Sequence, residues 1–201
     1  MLRVGLTGGL ASGKSFVGHA LAGLGCHLIE ADELGHQVLL PGGEAYDAVI
    51  HEFGNGILDD EGLIDRRRLG ALVFADPEQL KKLNGLVHPP VRAREKELEE
   101  RAAQLDPGGI VVVEAAILVE TGSYKGFDRL IVAACPLEVQ VERAMRRSGL
   151  TEEEVRARLS RQLPLEEKVK VADYVIDTSG SKENTLEQVR RVHESLRSLP
   201  K

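Results

Sequence analysis

Residues 8–15, Gly8-Gly9-Leu10-Ala11-Ser12-Gly13-Lys14-Ser15, match G-x-x-x-x-G-K-[ST] without a mismatch. Few short motifs restrict a fold as tightly, because this one works only between a buried strand and the start of a helix. The flanks supply both. Leu2 to Leu6 reads as a short buried strand, and Phe16, Val17, Ala20, Leu21 and Leu24 recur at helical spacing before Gly25 stops them. Leu28-Ile29 then opens a second strand that ends at Asp32. Strand, glycine loop, helix and strand within about thirty residues make a βαβ unit.

The chemistry of such a loop is anion binding. Its glycines allow backbone conformations that turn successive N–H groups inward as a nest, and the helix adds unpaired amides and the positive end of its dipole. Gly8, Gly9, Leu10, Ala11, Ser12, Gly13, Lys14 and Ser15, with the adjoining Phe16, are therefore expected to bind a nucleoside triphosphate, ATP. Lys14 is expected to be exposed and to reach the β- and γ-phosphates, and the Ser15 hydroxyl to ligate Mg²⁺.

The remaining chain alternates strand and helix at both ends. Ile110–Val113, Leu130–Ala134 and Tyr174–Ile176 are strand-like runs, the last closing at Asp177. Thr151 and Glu154 form a capping box expected to open a helix through Leu163, and Leu186, Val189, Val192 and Leu196 stripe a final helix. Residues 33–106 read as mostly helical. Asp76-Pro77-Glu78-Gln79 is a helix start, 92–104 carry alternating charges, and Pro107-Gly108-Gly109 breaks the run. His88, ahead of Pro89 and Pro90, reads as a turn residue following a helix. The expected fold is an α/β P-loop structure of three layers, α/β/α, around a parallel sheet. Residues 1–32 and 107–201 would form the nucleotide-binding core, and 33–106 a helical insert.

Beyond the loop, two features carry chemistry. Asp32, at a strand end across the sheet crevice from the loop, would accept a hydroxyl proton, hold Mg²⁺ through water, or cap a helix beginning at Glu33. Arg143, Arg146 and Arg147 share one helix face, and Arg158 and Arg161 stand at i, i+3 on the next. Two basic helices joined at Gly149 suit a lid, about 143–165, that closes over triphosphate, although Glu152, Glu153 and Glu154 also suit ordinary surface pairing.

Composition removes other classes. Lys and Arg total 26 against 32 Asp and Glu, a net charge of −6, and aromatics are 3%. A general nucleic-acid binder relies on a basic surface and stacking rings, so neither nucleic acid nor an anionic membrane is expected as a partner. Cys26 and Cys135 belong to no CxxC pair and suit reduced core thiols in the cytoplasm. No signal-like apolar stretch opens the chain, and no run reaches membrane-spanning length. Nothing in the pattern sets an oligomeric state.

The ordered motif set resembles the dephospho-CoA kinases over nearly the whole chain. The resemblance is carried by Val4 to Ser15, Glu30-Ala31-Asp32, Phe53-Gly54, Gly62 to Arg66, Phe74 and Leu83 to Pro89. It continues through Ile117 to Glu120, Gln140, Arg143, Arg161-Gln162, Lys168 and Ala172 to Asp177. It implies transfer of the ATP γ-phosphate to the ribose 3′-hydroxyl of dephospho-CoA, the last step of coenzyme A synthesis. It also implies a nucleotide-binding core, a helical acceptor-binding domain and an arginine-bearing lid. Asp32 matches the acidic residue near the acceptor hydroxyl, Arg143 the lid arginine, and His88-Pro89 the acceptor side; Arg147, on the helix face of Arg143, is expected to meet ATP with it. Glu30, Glu114 and Thr178 depart from the family's usual Asp, Asp and Asn. A GTPase-like switch is the competing class; two D-x-x-G matches, Asp32–Gly35 and Asp177–Gly180, favour it, but no N-K-x-D element occurs.

Overall fold

The apolar runs become strands because they are buried on both faces. The computed structural model describes residues 1–199, with the side chain of Phe74 (one of the resemblance positions) outside the described residues. β1 (Leu2–Gly8), β2 (His27–Glu30), β3 (Ile110–Glu114), β4 (Arg129–Ala134) and β5 (Tyr174–Asp177) form one sheet in the order β2-β3-β1-β4-β5. Every pairing is parallel, with Leu6 opposite Glu114 and Ile131. All five residues of β3 are buried, as a strand covered on both sides requires. One face packs Val4, Leu6, Val112, Ile131 and Ile176 against Val17 and Leu21 of α1 (Lys14–Gly23) and Val189, Val192 and Leu196 of α9 (Lys182–Arg197).

The strand order creates a switch point. From β1 the chain crosses to β2 on one side, whereas from β3 it crosses to β4 on the other. The adjacent carboxyl ends of β1 and β3 therefore flank a crevice, the usual ligand position in open α/β sheets. The glycine loop leaves one of those ends and Glu114 closes the other.

Two compact units divide the chain: Met1–Glu30 with Arg101–Lys201, and Ala31–Glu100. The sheet unit also holds α6 (Leu137–Ser148), α7 (Glu152–Leu159) and α8 (Leu165–Val169). Thr151 accepts from the Glu154 amide while Glu154 reaches back, the expected capping box. The helix it opens ends at Leu159 rather than Leu163, so Arg161 is not on it. Pro164 cannot donate an amide to a continuing helix, and it precedes the new start at Leu165.

The helical unit comprises α2 (Ala31–Gln37), α3 (Tyr46–Phe53), α4 (Arg66–Phe74) and the start of α5 (Pro77–Leu105), which crosses the unit boundary. Asp65 caps α4 by accepting from the Arg67 and Arg68 amides. The expected turn at His88 does not form: α5 continues through Pro89 and Pro90. Each proline removes a helical hydrogen bond and crowds the carbonyl four residues back, at about 3 kcal/mol or more. Leu80, Leu83, Leu86, Val87 and Val91, on both sides of the pair, pack on the buried cluster of Val38, Val49, Ile57, Leu69 and Val73. Burial of such side chains stabilises by roughly 1.5–3 kcal/mol each when complete. Packing wins over local preference there.

Candidate active site

A chain leaving β1 must reverse quickly to start α1, and the loop does so with unusual backbone. Gly13, at the N-cap of α1, has φ 90°, and no side chain caps the helix. Ala11 has φ 55°, alone among the described non-glycine residues in being positive. The uncapped amides remain for a ligand. A Cβ at Gly13 would lie 3.2 Å from three side-chain atoms of Thr178, and one at Gly9 would lie 2.3 Å from Gln140 Oε1. Close approach constrains both glycines, and conformation also requires the one at Gly13.

Glu114 organises the loop's reactive end. Its side chain is 5% exposed, and Oε1 accepts from Ser15 Oγ at 2.8 Å and lies 3.6 Å from Lys14 Nζ. Lys14 is therefore not the exposed side chain expected; it is 14% exposed, because the carboxylate draws its ammonium inward. Glutamate is one methylene longer than the aspartate usual in the resemblance. Room for it comes from Gly18 of α1, where a Cβ would stand 3.0 Å from Glu114 Oε2. That Oε2 is buried and has no hydrogen-bond partner. An unsatisfied carboxylate oxygen beside a serine hydroxyl is a hard-oxygen pair that fits Mg²⁺. No group of three or more His, Cys, Asp or Glu side chains suited to a metal occurs among the described residues. Phosphate oxygens and water would complete such a site, as Mg²⁺ usually requires.

The other walls bring Arg143 and the loop together with Thr178, Gln140 and Gln162, to which the motifs assign no chemistry. Thr178 Oγ1 donates to Ser12 O at 2.6 Å, with Ala134 O at 3.2 Å as its alternative. Arg143 donates from Nη2 to Thr178 O at 2.7 Å. Gln140 donates to Cys135 O at 3.1 Å and leaves Oε1 buried without a partner beside Gly9. Leu10 N–H donates to Gln162 Oε1 at 2.9 Å. A buried acid ending an all-valine run was the available signal for Glu114; Thr178 had none, since its place is set by the β4–β5 register.

The first comparison decides the family. The dephospho-CoA kinase family model matches residues 2–184. The chain belongs to that family. It is 46% identical over 200 residues to the dephospho-CoA kinase of Aquifex aeolicus (strain VF5), covering 100% of both chains. Among solved structures it is similar to the dephospho-CoA kinase from Campylobacter jejuni, with 30% identity, TM-score 0.68, and 97% and 96% of the two chains covered. TT1252 from Thermus thermophilus superposes with TM-score 0.81 at 36% identity, covering 96% of each chain.

Other expected dephospho-CoA kinase site residues are less concentrated. Asp32 does not end a strand, and it does not cap a helix beginning at Glu33. β2 stops at Glu30, and Asp32 is the second residue of α2, exposed, because the helix starts directly at the strand's end. His88 is half-buried within α5; burial first, then the Arg92 guanidinium, holds its imidazole below the ordinary value. Arg146 and Arg147 are exposed on the last turn of α6, where cations complement the helix dipole, and Arg143 alone of that trio reaches the loop's support. Phe16, beside Ser15, has Lys182 Nζ 5.9 Å from its ring centroid. Burial raises both thiols, Cys26 to about 11, and they remain inert core groups.

Proposed function

We propose that the glycine loop and Glu114 hold Mg·ATP, and that Asp32 takes the proton from the ribose 3′-hydroxyl of dephospho-CoA as the γ-phosphate transfers. The observation that carries this reading is Glu114. It gathers Ser15 Oγ and Lys14 Nζ at the sheet's switch point, in a chain that matches the dephospho-CoA kinases along its length.

The loop amides and Lys14 bind the β- and γ-phosphates and favour the charge that spreads over the transferring group. Mg²⁺ held by Ser15 and Glu114 would neutralise part of that charge. The acceptor oxygen attacks the γ-phosphorus, the bond to the β–γ bridging oxygen breaks, and ADP leaves. The hydroxyl proton passes to the Asp32 carboxylate. Arg143, released from Thr178, and Arg147 supply guanidiniums from the lid. The helical unit, with His88 and Pro89, takes the acceptor. The setting is the cytoplasm, where Cys26 and Cys135 stay reduced. Among the described residues no helix is long and apolar enough to cross a membrane.

Incubation with Mg·ATP and dephospho-CoA, AMP, CMP, shikimate or pantothenate in parallel, following ADP release and product mass, tests the assignment. One phosphate added to dephospho-CoA, and none when its ribose 3′-hydroxyl is removed, is expected. Faster phosphorylation of any other acceptor on the panel rejects it.

A further inference from the structure

Lys168 is fully buried, a costly place for a cation. Its Nζ lies 2.6 Å from Glu120 Oε1 and donates to Ala116 O at 2.9 Å. Ala116 O also accepts from Thr7 Oγ1 at 3.2 Å, one residue before the glycine loop begins. Glu120 Oε1 accepts from the Leu163 amide at 3.2 Å, while its Oε2 is buried with no partner. Leu163 follows Gln162, whose Oε1 accepts the Leu10 amide of the glycine loop at 2.9 Å. The residues thus form one chain of contacts within the sheet unit. It runs from Lys168 to Glu120, from Glu120 to the backbone at Leu163, and through Gln162 to Leu10. Lys168, Glu120, Leu163 and Gln162 are assigned to no chemistry above, and Leu10 belongs to the loop proposed to bind ATP.

We propose that Glu120 and Lys168 are positioning residues: they fix the segment returning from the two basic helices so that Gln162 holds the glycine loop at Leu10 in its ATP-binding conformation. An apolar pair of similar volume would fill the same space more cheaply. What it would not do is accept the Leu163 amide and thereby set the direction in which Gln162 points. Pro164 stiffens the link, since it fixes φ directly after Leu163 and opens α8, which carries Lys168. The device acts on ATP and not on the acceptor, because its only contact with the proposed chemistry is a loop amide.

The inference rests on the loop being the ATP site, so the experiment separates the two. KM for ATP, KM for dephospho-CoA and kcat are measured for wild type, Lys168→Met, Gln162→Leu and their double variant. Amide hydrogen exchange at Leu10 is followed without nucleotide. Gln162→Leu removes one hydrogen bond at a half-buried side chain, and is expected to raise KM for ATP about 3- to 10-fold. KM for dephospho-CoA stays unchanged and exchange at Leu10 speeds up. Lys168→Met should do the same, and the double variant should be no worse in KM for ATP than the worse single variant. Multiplying effects, a change confined to KM for dephospho-CoA, or unaltered exchange at Leu10 overturns the proposal. Should Lys168→Met fail to fold, Gln162→Leu decides alone: unchanged KM for ATP with unchanged exchange at Leu10 rejects it. Lys14→Met in the same assay guards the premise, since full turnover and ATP affinity there would remove the ATP site itself.

Discussion

Among the described residues the sheet unit buries seven polar or charged side chains, Thr7, Ser12, Glu114, Gln140, Lys168, Thr178 and Thr185, whereas every buried residue of the helical unit is apolar. Among the described residues, the four buried side-chain oxygens without partners, on Ser12, Glu114, Glu120 and Gln140, also lie in the sheet unit. Each such atom costs about 1–3 kcal/mol. Three of them, on Ser12, Glu114 and Gln140, lie on or beside the glycine loop and α1, where the proposed triphosphate and Mg²⁺ would supply partners. The helical unit keeps its polar chemistry outside, in exposed pairs such as Lys82–Glu52 at 2.6 Å and Arg94–Glu44 at 2.8 Å. Pairs of that kind contribute little to stability. One unit is organised around unmet polar demand, the other around packing. Substitutions in the two should therefore differ in kind.

The role proposed for Asp32 is the sharpest challenge to that contrast, since it would give the helical unit a reactive group that is exposed. Asp32→Asn is expected to lower kcat by about 10²–10⁴-fold, the usual contribution of a positioned general base. ATP affinity and the unfolding midpoint should stay near wild type. Loss of ATP binding with unchanged turnover of the bound complex would move Asp32 from base to metal support.

Lys14→Met tests the sheet unit from its own side. Removal of a preorganised charge at the transferring phosphate costs about 10²–10³-fold in kcat. Lys14 is partly buried on Glu114, so the variant also leaves that carboxylate with Ser15 as its sole neighbour of the pair, and stability should fall measurably. A loss of turnover with no change in unfolding would show that Glu114 does not depend on the lysine.

The same contrast explains what was legible in the sequence. Gly8 to Ser15 could be read because spacing and flanks are local, and the parallel sheet followed from alternating runs such as Ile110–Val113. The helix around Pro89 could not, because local steric preference there is overruled by Leu80, Leu83 and Val91 packing on residues up to about fifty positions away. Thr178 stood as a departure from a family position and Gln162 was matched as one, neither with a role. Their partners, Ser12 and Leu10, lie 166 and 152 residues distant. Asp32 was expected at the strand's end, whereas β2 stops two residues earlier, since nothing in Glu30-Ala31 marks where strand becomes helix.

Leu69→Ala addresses the packed unit directly. Leu69 is 4% exposed within a cluster that contains only apolar side chains. Its truncation should cost about 2–5 kcal/mol of stability in urea unfolding. At a temperature where the protein stays folded, kcat at saturating substrates should remain within about twofold. A large fall in kcat without loss of stability would show that the helical core is tuned to the reaction rather than to packing.

The smallest effect expected concerns pH. His88 lies in α5 of the helical unit with its imidazole held below the ordinary value, first by burial and second by Arg92 one turn on. The folded state therefore binds a proton less readily than the unfolded chain, whose histidines titrate near 6.5. Between the two values the unfolded state holds more protons, so stability rises with pH there and falls as pH drops below about 6.5. His193 on α9 of the sheet unit is lowered in the same direction, by burial and then Arg197, so a step of the same sign belongs to each unit. Asp65 and Asp177 are held below the ordinary carboxylate value, chiefly by hydrogen bonds, so they stay ionised throughout this range and add no step. Thermal unfolding of wild type, His88→Gln and His193→Gln between pH 7.5 and 5.5 separates the contributions. Each variant should lose part of the acid-side fall in midpoint, and Arg92→Gln should shrink the His88 part by removing its second cause. An undiminished fall in His88→Gln would mean that the histidine is solvated in the folded protein.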